Sequence, residues 1–334
     1  MSDPKVLVIV PTLNEAAHIG AVLDQLAPFA KTGEALVVVV DGGSRDGTQD
    51  IVTQRMAQTD WLRLIDNPLK YQSAAINLAV EAFGAGCDYL IRIDAHSIYP
   101  RDYCETLIAE AEATGAASVT VTMNAVGQGL LQKAIAVAQN SRFGNGSSAH
   151  RNRSEGAWVD HGHHALMRCD AFRAVGGYDP GFTHNEDAEL DHRLRMAGYR
   201  IWLSARTGID YLPRQNLRGL IRQYYLFGRG RARNLAKHRM RPAKRQMIVA
   251  ALLPGLALAV LSPLHWVFAL PLLLWALACV AVGVMLARET RSLTGFLAGP
   301  LAGLMQAAWS AGFWAQSLTA GAKAQRWTAK EGKA

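Results

Sequence analysis

The chain has 334 residues, half of them hydrophobic, and a formal net charge of +8 from 35 Lys and Arg against 27 Asp and Glu. That apolar content excludes an intrinsically disordered chain, and the length allows one large domain plus an appendage. Four scattered cysteines (Cys87, Cys104, Cys169, Cys279) include no C-x-x-C pair, which argues against a zinc site or a disulfide framework and fits a reducing compartment. The opening Met1-Ser2-Asp3-Pro4-Lys5 puts no basic stretch before an apolar run, so no signal peptide is expected and the N-terminal part should be cytoplasmic.

In chain order, Lys5–Val10 reads as a buried strand and Glu15–Phe29 as a helix. Ala35–Val40 is a second strand and Gly47–Met56 a second helix. Trp61–Ile65 and Tyr71–Phe83 are the third pair, and Asp88–Ile93 and Arg101–Ala113 the fourth, with Ala117–Thr122 closing the series. Continuous Val/Ile/Leu runs separated by helices predict an α/β fold, a mostly parallel sheet covered on both faces. Ligands of such sheets lie at the C-terminal ends of the strands. Further on, Gly127–Asn140 reads as a helix, Arg142–Trp158 as a long polar loop and Glu186–Met196 as a charged helix.

The composition shifts at residue 246, which divides the chain into a 1–245 domain and a 246–334 membrane-associated helical region. Arg229, Arg231, Arg233, Lys237, Arg239, Arg241, Lys244 and Arg245 lie in one stretch without an acid, directly before the uncharged Met247–Leu261. Trp266–Ala287 and Phe296–Leu318 are also uncharged, and these two have the length to span a bilayer. Basic residues beside an apolar segment read as a cytoplasmic membrane flank. A nucleic-acid patch would lack that neighbour, so no nucleic-acid partner is expected. Three full crossings would place the basic tail outside, so one segment is expected to lie in the interface or re-enter near Gly299-Pro300.

Four motifs carry chemistry. Val10-Pro11-Thr12-Leu13-Asn14-Glu15 ends the first strand and opens a helix, turning polar groups to the ligand edge. In Val40-Asp41-Gly42-Gly43-Ser44, Asp41 is placed to accept hydrogen bonds from a base or ribose, and the glycines permit close backbone approach. Asp94-Ala95-His96 follows the fourth strand, where a divalent cation bridging a diphosphate would need a hard ligand. Asn185-Glu186-Asp187 opens a helix. Its acids suit the helix dipole and also the work of a general base.

Together these motifs resemble the family-2 glycosyltransferases of GT-A fold. The resemblance implies that Pro11, Thr12, Asn14 and Glu15 hold the nucleoside with Asp41. It makes Lys70–Asn77 a third nucleotide-contacting stretch, with Lys70 toward the phosphates and Asn77 at its end. Asp94-Ala95-His96 matches the family's D-x-D, so Asp94 and His96 would hold Mn²⁺ or Mg²⁺, His96 more weakly than a second carboxylate would. Glu186-Asp187 matches the family's E-D motif, with Asp187 as the base of an inverting transfer.

The segments Gln139–Arg142, Ser148–Arg151, Val159–His164 and Gly176–Asp179 are similar to the succinoglycan-type glucosyltransferases of bacterial exopolysaccharide assembly. That similarity covers about residues 5–245. It implies transfer from UDP-glucose to a polyprenyl-diphosphate-linked saccharide at the cytoplasmic face of the inner membrane. His150, Arg151, His161, His163 and His164 would bind the acceptor by hydrogen bonds. Gln223, Arg229 and Arg231 belong to Arg222–Arg231, which lies where processive relatives carry Q-x-x-R-W; there aromatic and basic groups could stack on a sugar and neutralise phosphate, with these three as acceptor-binding candidates. The absent tryptophan favours single-sugar addition. The alternatives are UDP-glucuronate or another UDP-sugar as donor, a polyprenyl-phosphate sugar synthase, and a catalytically silent membrane scaffold that binds nucleotide sugars.

Overall fold

The computed structural model describes residues 5–32, 35–144 and 155–331, with 320–331 as backbone only. The chain folds into two compact units, Met1–Asn124 with Ala149–Tyr211, and Ala125–Ser148 with Leu212–Ala334. The composition boundary at 245/246 therefore falls inside the second unit. Residues 212–245 pack with the C-terminal helices although they are far more polar.

In the first unit, β1 (Val6–Thr12), α1 (Ile19–Ala30), β2 (Ala35–Asp41), α2 (Thr48–Met56), β3 (Leu62–Asp66), α3 (Gln72–Phe83) and β4 (Tyr89–Arg92) follow the predicted order. Here β1 pairs in parallel with β2 and β4, and β2 with β3. The chain continues through β5 (Ser97–Ile98), α4 (Tyr103–Thr114), β6 (Ser118–Ala125) and α5 (Gly129–Asn140, in the second unit). It then forms β7 (Ala157–Val159), β8 (His163–Arg168), α6 (Cys169–Ala174), α7 (Glu186–Met196) and β9 (Ile201–Tyr211). The described strands form a nine-stranded sheet in the order β3-β2-β1-β4-β8-β6-β9-β5, with β7 beside β9. The expected parallel series ends at β4. Beyond it β8 runs antiparallel to β4 and to β6, and β5 and β7 run antiparallel to β9.

Alternation along β1 shows why these residues make a two-faced strand. Val6, Val8 and Val10 pack with Val22, Leu23 and Leu26 of α1 and Leu107 of α4. Leu7 and Ile9 face Ala75, Ile76 and Ala79 of α3 and Leu190 and Leu194 of α7. Burying each such side chain contributes about 1.5–3 kcal/mol. Truncating Ile9 to Ala would cost about 2–5 kcal/mol. With both faces covered, polar chemistry is pushed to the strand ends.

The second unit joins α5 to α8 (Leu217–Lys237), α9 (Lys244–Ala250), α10 (Leu252–Ala257), α11 (Leu270–Thr290) and α12 (Leu293–Glu331). Asn216 starts α8 by accepting the Gly219 backbone N–H at 2.8 Å. Ala134, Ile135 and Ala138 of α5, Leu220 of α8 and Met305 of α12 share one buried cluster. Gly228 of α8 lies on the Trp309 and Phe313 backbone, and Gly312 of α12 lies on the Tyr225 backbone. A Cβ at either place would overlap those atoms. Close helix approach through paired small residues is a habit of membrane helices.

Among the described residues, two helical runs are long and apolar enough to cross a membrane, Lys244–Leu261 and Trp266–Thr290, and only 6% of each is buried. The third expected segment, 296–318, behaves differently. It lies in α12, where Ala298, Leu301, Ala302 and Met305 are enclosed by protein. No break occurs at Gly299-Pro300, because α12 continues through Pro300. Packing against neighbouring helices lets such a helix tolerate the lost hydrogen bond.

Candidate active site

The turns after β1 and β2 are stitched together by side-chain oxygens. Asn14, in the left-handed region at φ 58°, donates its backbone N–H to Ser44 Oγ at 2.8 Å and accepts the Arg45 N–H at 2.9 Å. The Glu15 N–H donates to Thr48 Oγ1 at 2.9 Å, and the Ala16 N–H donates to Asp46 at 3.0 Å. Asp41 is the keystone. It accepts the backbone N–H groups of Gly43 and Ser44 and the side chains of Thr12, Ser44 and Gln49, at 2.5–3.0 Å. Burial raises its pKa, but these donors prevail and hold it below the usual range. Asp41 thus shapes the turn that would meet a nucleoside. Pro11 lies within β1 opposite Val40. Lys70 is exposed, has a positive φ of 62° and runs alongside Gly43.

The two carboxylate clusters, 93 residues apart between Asp94 and Asp187, meet on one guanidinium. Arg92, at the end of β4 and 6% exposed, reaches Asp94 through Nε at 3.1 Å and Asp187 through Nη1 at 3.1 Å. Gln72 at the start of α3 also donates to Asp94. The Asp94 backbone N–H donates to the Tyr99 hydroxyl at 2.6 Å. His163, from β8, stands between the acids, 3.7 Å from Asp94 and 3.8 Å from Asp187.

Behind Asp187 lies a chain of polar groups. The Tyr178 hydroxyl donates to Asp187 Oδ1 at 2.9 Å and lies 2.9 Å from His164 Nδ1. His164 Nε2 is 2.6 Å from Asp191 Oδ1, and His161 Nδ1 is 2.7 Å from Asp191 Oδ2. Asn77 brackets the Tyr178 peptide, donating to its C=O at 2.8 Å and accepting its N–H at 2.9 Å. Gly177, at φ 66°, leaves room for that amide, since a Cβ there would lie 2.7 Å from Asn77 Oδ1.

The electrostatics follow from this geometry. Burial raises Asp94 and Asp187, but Arg92 foremost, with the nearby histidines, lowers Asp94 and holds Asp187 well below the usual carboxylate range. Burial and the charge of Asp187 push Glu186 up to about 7. Burial and Arg92 push His163 down to about 4, so it is neutral near pH 7. Burial lowers His164, yet the Asp191 and Asp187 carboxylates outweigh it and raise its pKa.

The site thus gathers Asp94, Asp187, Glu186 and His163. His164 is fully buried with both ring nitrogens engaged. Asn77 spends its amide on the Tyr178 peptide. His161 is partly exposed on Asp191. His150 and Arg151 lie outside the described residues. Gln223, Arg229 and Arg231 lie on α8 in the second unit, where Arg229 donates to Gln316 Oε1 at 3.2 and 3.3 Å.

Sequence reading missed Arg92 and Tyr178. A signal existed for Arg92, the one charge in an apolar strand, two residues before Asp94 and so on the same face. As a donor set for a hard cation, Asp94 offers an ionised carboxylate, and His96 offers an exposed imidazole 3.0 Å from Glu15. Among the described residues no group of three His, Cys, Asp or Glu converges on a metal position. The pair therefore fits an ion shared with a ligand's own oxygens rather than one fully caged by protein.

Parallel strands that end in stitched polar turns, continued by an antiparallel half, give the GT-A-like fold of glycosyltransferases. The chain belongs to glycosyl transferase family 2, whose profile matches residues 7–176. Succinoglycan biosynthesis protein ExoA of Rhizobium meliloti (strain 1021) is 51% identical over 312 residues, 93% of this chain and 94% of that protein. Among solved structures, the mannosyltransferase PcManGT from Pyrobaculum calidifontis, in complex with GDP-Man and Mn²⁺, superposes with a TM-score of 0.55 at 21% identity. The match covers 92% of this chain and 88% of that one. GalNAc-T7 with UDP, GalNAc and Mn²⁺ superposes at 0.50 and 12% identity, over 70% of this chain and 52% of that one.

Proposed function

We propose that this glycosyltransferase moves glucose, with inversion, from UDP-glucose to a polyprenyl-diphosphate-linked saccharide during assembly of a succinoglycan-like exopolysaccharide. The observation that carries this reading is the meeting of Asp94 and Asp187 on Arg92. A transferase needs a donor-side anchor and an acceptor-side base within one sugar's width of each other, and these are two such groups on two different elements. The name of the half-identical relative supports the pathway.

In this reading the turns of Pro11–Glu15 and Asp41–Ser44 seat the nucleoside, and Lys70 faces the phosphates. Asp187 accepts the proton of the acceptor hydroxyl while that oxygen bonds to the anomeric carbon and the bond to the diphosphate breaks, its electron pair leaving with the diphosphate. Arg92 stabilises the ionised carboxylates. His163, neutral between them, offers a hydrogen bond to the sugar. A divalent ion, Mn²⁺ or Mg²⁺, held by Asp94 and His96 with the diphosphate oxygens, would neutralise charge on the leaving group. The two exposed apolar runs attach the protein to the inner membrane, with the first unit in the cytoplasm. Arg229 and Arg231 then receive the lipid phosphate.

The test is a turnover screen of UDP- and GDP-sugars with Mn²⁺ or Mg²⁺ and a lipid-linked acceptor, run on the full chain in detergent and on Asp187→Asn. Expected are transfer from UDP-glucose, dependence on the divalent ion, and a loss of about 10²- to 10⁴-fold in the variant. Turnover confined to GDP-sugars, or near-native transfer by Asp187→Asn at saturating donor, overturns the reading.

A further inference from the structure

Resting on the reading of Asp187 as the base, we propose that Tyr178 and His164, anchored by Asp191, are positioning residues for it. They engage one oxygen of Asp187 so that the other is presented to the acceptor hydroxyl. The two oxygens are held unequally. Oδ1 receives the Tyr178 hydroxyl at 2.9 Å and Arg92 Nη1 at 3.1 Å. Among the described residues Oδ2 receives the longer Arg92 contact at 3.3 Å, with His163 Nδ1 at 3.8 Å. Oδ2 is therefore the oxygen with capacity to take a proton.

What keeps Tyr178 on Oδ1 is the chain behind it. Asp191 is 1% exposed and His164 fully buried. Asp191 accepts from His161, from the Gly162 N–H at 3.3 Å and from His164 Nε2. His164 Nε2 lies 2.6 Å from Asp191 Oδ1, which fixes the ring so that its Nδ1 stands 2.9 Å from the Tyr178 oxygen. The Tyr178 hydroxyl is thus held between that nitrogen and Asp187 Oδ1. Asn77 fixes the Tyr178 backbone, and the ring packs edge-on to Phe172 at 5.7 Å. The charged or titratable groups around Asp187 are Arg92 from β4, His163 and His164 from β8, Glu186 and Asp191 from α7, and Tyr178 itself.

A donor to an ionised carboxylate also lowers its pKa. Removing the Tyr178 hydroxyl should therefore do two things at once. It should let Asp187 rotate, lowering kcat, and it should raise the pKa of the base, moving the acid limb of the rate profile to higher pH. The experiment measures kcat, donor KM and the profile of kcat/KM from about pH 3 to about pH 9 for wild type, Tyr178→Phe, His164→Ala, His164→Asn and Asp187→Asn. Tyr178→Phe is expected to lose on the order of 10- to 100-fold in kcat with donor KM kept, and to shift the acid limb upward. His164→Asn, whose amide nitrogen replaces Nδ1, should recover most of what His164→Ala loses. Should Tyr178→Phe melt early, the His164 pair carries the test, because both variants remove the same ring. An acid limb unmoved in Tyr178→Phe with kcat within about twofold of wild type, or equal kcat in the two His164 variants, overturns the proposal. Near-native transfer by Asp187→Asn would instead sink the base assignment itself.

Discussion

Leu90 in β4 and Leu274 in α11 are the same residue with opposite fates, the first fully buried and the second 64% exposed. The first unit hides its leucines between sheet and helices and concentrates charge at the strand ends. The second hides its glycines and small residues at helix contacts and turns Leu272, Leu273, Leu274 and Leu277 of α11 outward. A solvent of water explains the first pattern. The second is compatible with outer helices facing hydrocarbon, as membrane helices with close backbone approach do. The same side chain thus serves as core in one place and as surface in the other.

The strongest way to break this contrast is to remove the charge that the first unit buries. Arg92→Leu leaves two carboxylates half-buried without their partner. It should cost about 3–5 kcal/mol in denaturant unfolding and abolish turnover, and unchanged unfolding would show that the ion pairs are incidental. Next, Leu274→Lys puts a charge on the outward face of α11. Liposome flotation should weaken by about 2.5–3.5 kcal/mol while donor hydrolysis persists, and flotation equal to wild type would remove α11 from the membrane. Gly312→Val forces a side chain into the Tyr225 backbone. A loss of about 1–3 kcal/mol is expected from melting in detergent.

The smallest effect concerns Glu186. Its folded pKa of about 7 lies above the usual value of 4.5, so the folded state holds more protons between those values and stability falls as pH rises through that window. Glu186→Gln should flatten that slope and melt higher than wild type at pH above about 7. A slope identical to wild type would place the titration elsewhere.

The parallel half was legible because Val6–Val10 and Val37–Val40 are continuous apolar runs, and Leu90–Ile93 one broken only by Arg92, between helical patterns, the mark of strands covered on both faces. The antiparallel half was not. β8 begins with two histidines, and β9 mixes Arg206, Thr207 and Asp210 into its run, so neither offers a clean period. At the site, Asp94 and Asp187 could be read from motif form. Their common partner could not, because the salt bridge between Arg92 at a strand end and Asp187 at a helix start depends on how the 94 residues between them fold. Tyr178 was visible only as part of Gly176-Gly177-Tyr178-Asp179, and its tie to Asp187 arises because Asn77, 101 residues earlier, grips its peptide. The C-terminal segments were legible as apolar, but not which of them protein would enclose. Gly228 and Gly312 decide that for α12, by letting α8 lie against it.

One guanidinium serving two acids has a thermodynamic corollary. Any ligand that competes for Arg92 at Asp94 leaves Asp187 less compensated and more avid for protons. Reciprocity then requires that protonating Asp187 strengthen the hold of Arg92 on that ligand. The two half-sites are therefore energetically linked before any segment moves, and occupancy of one is felt as altered acidity at the other.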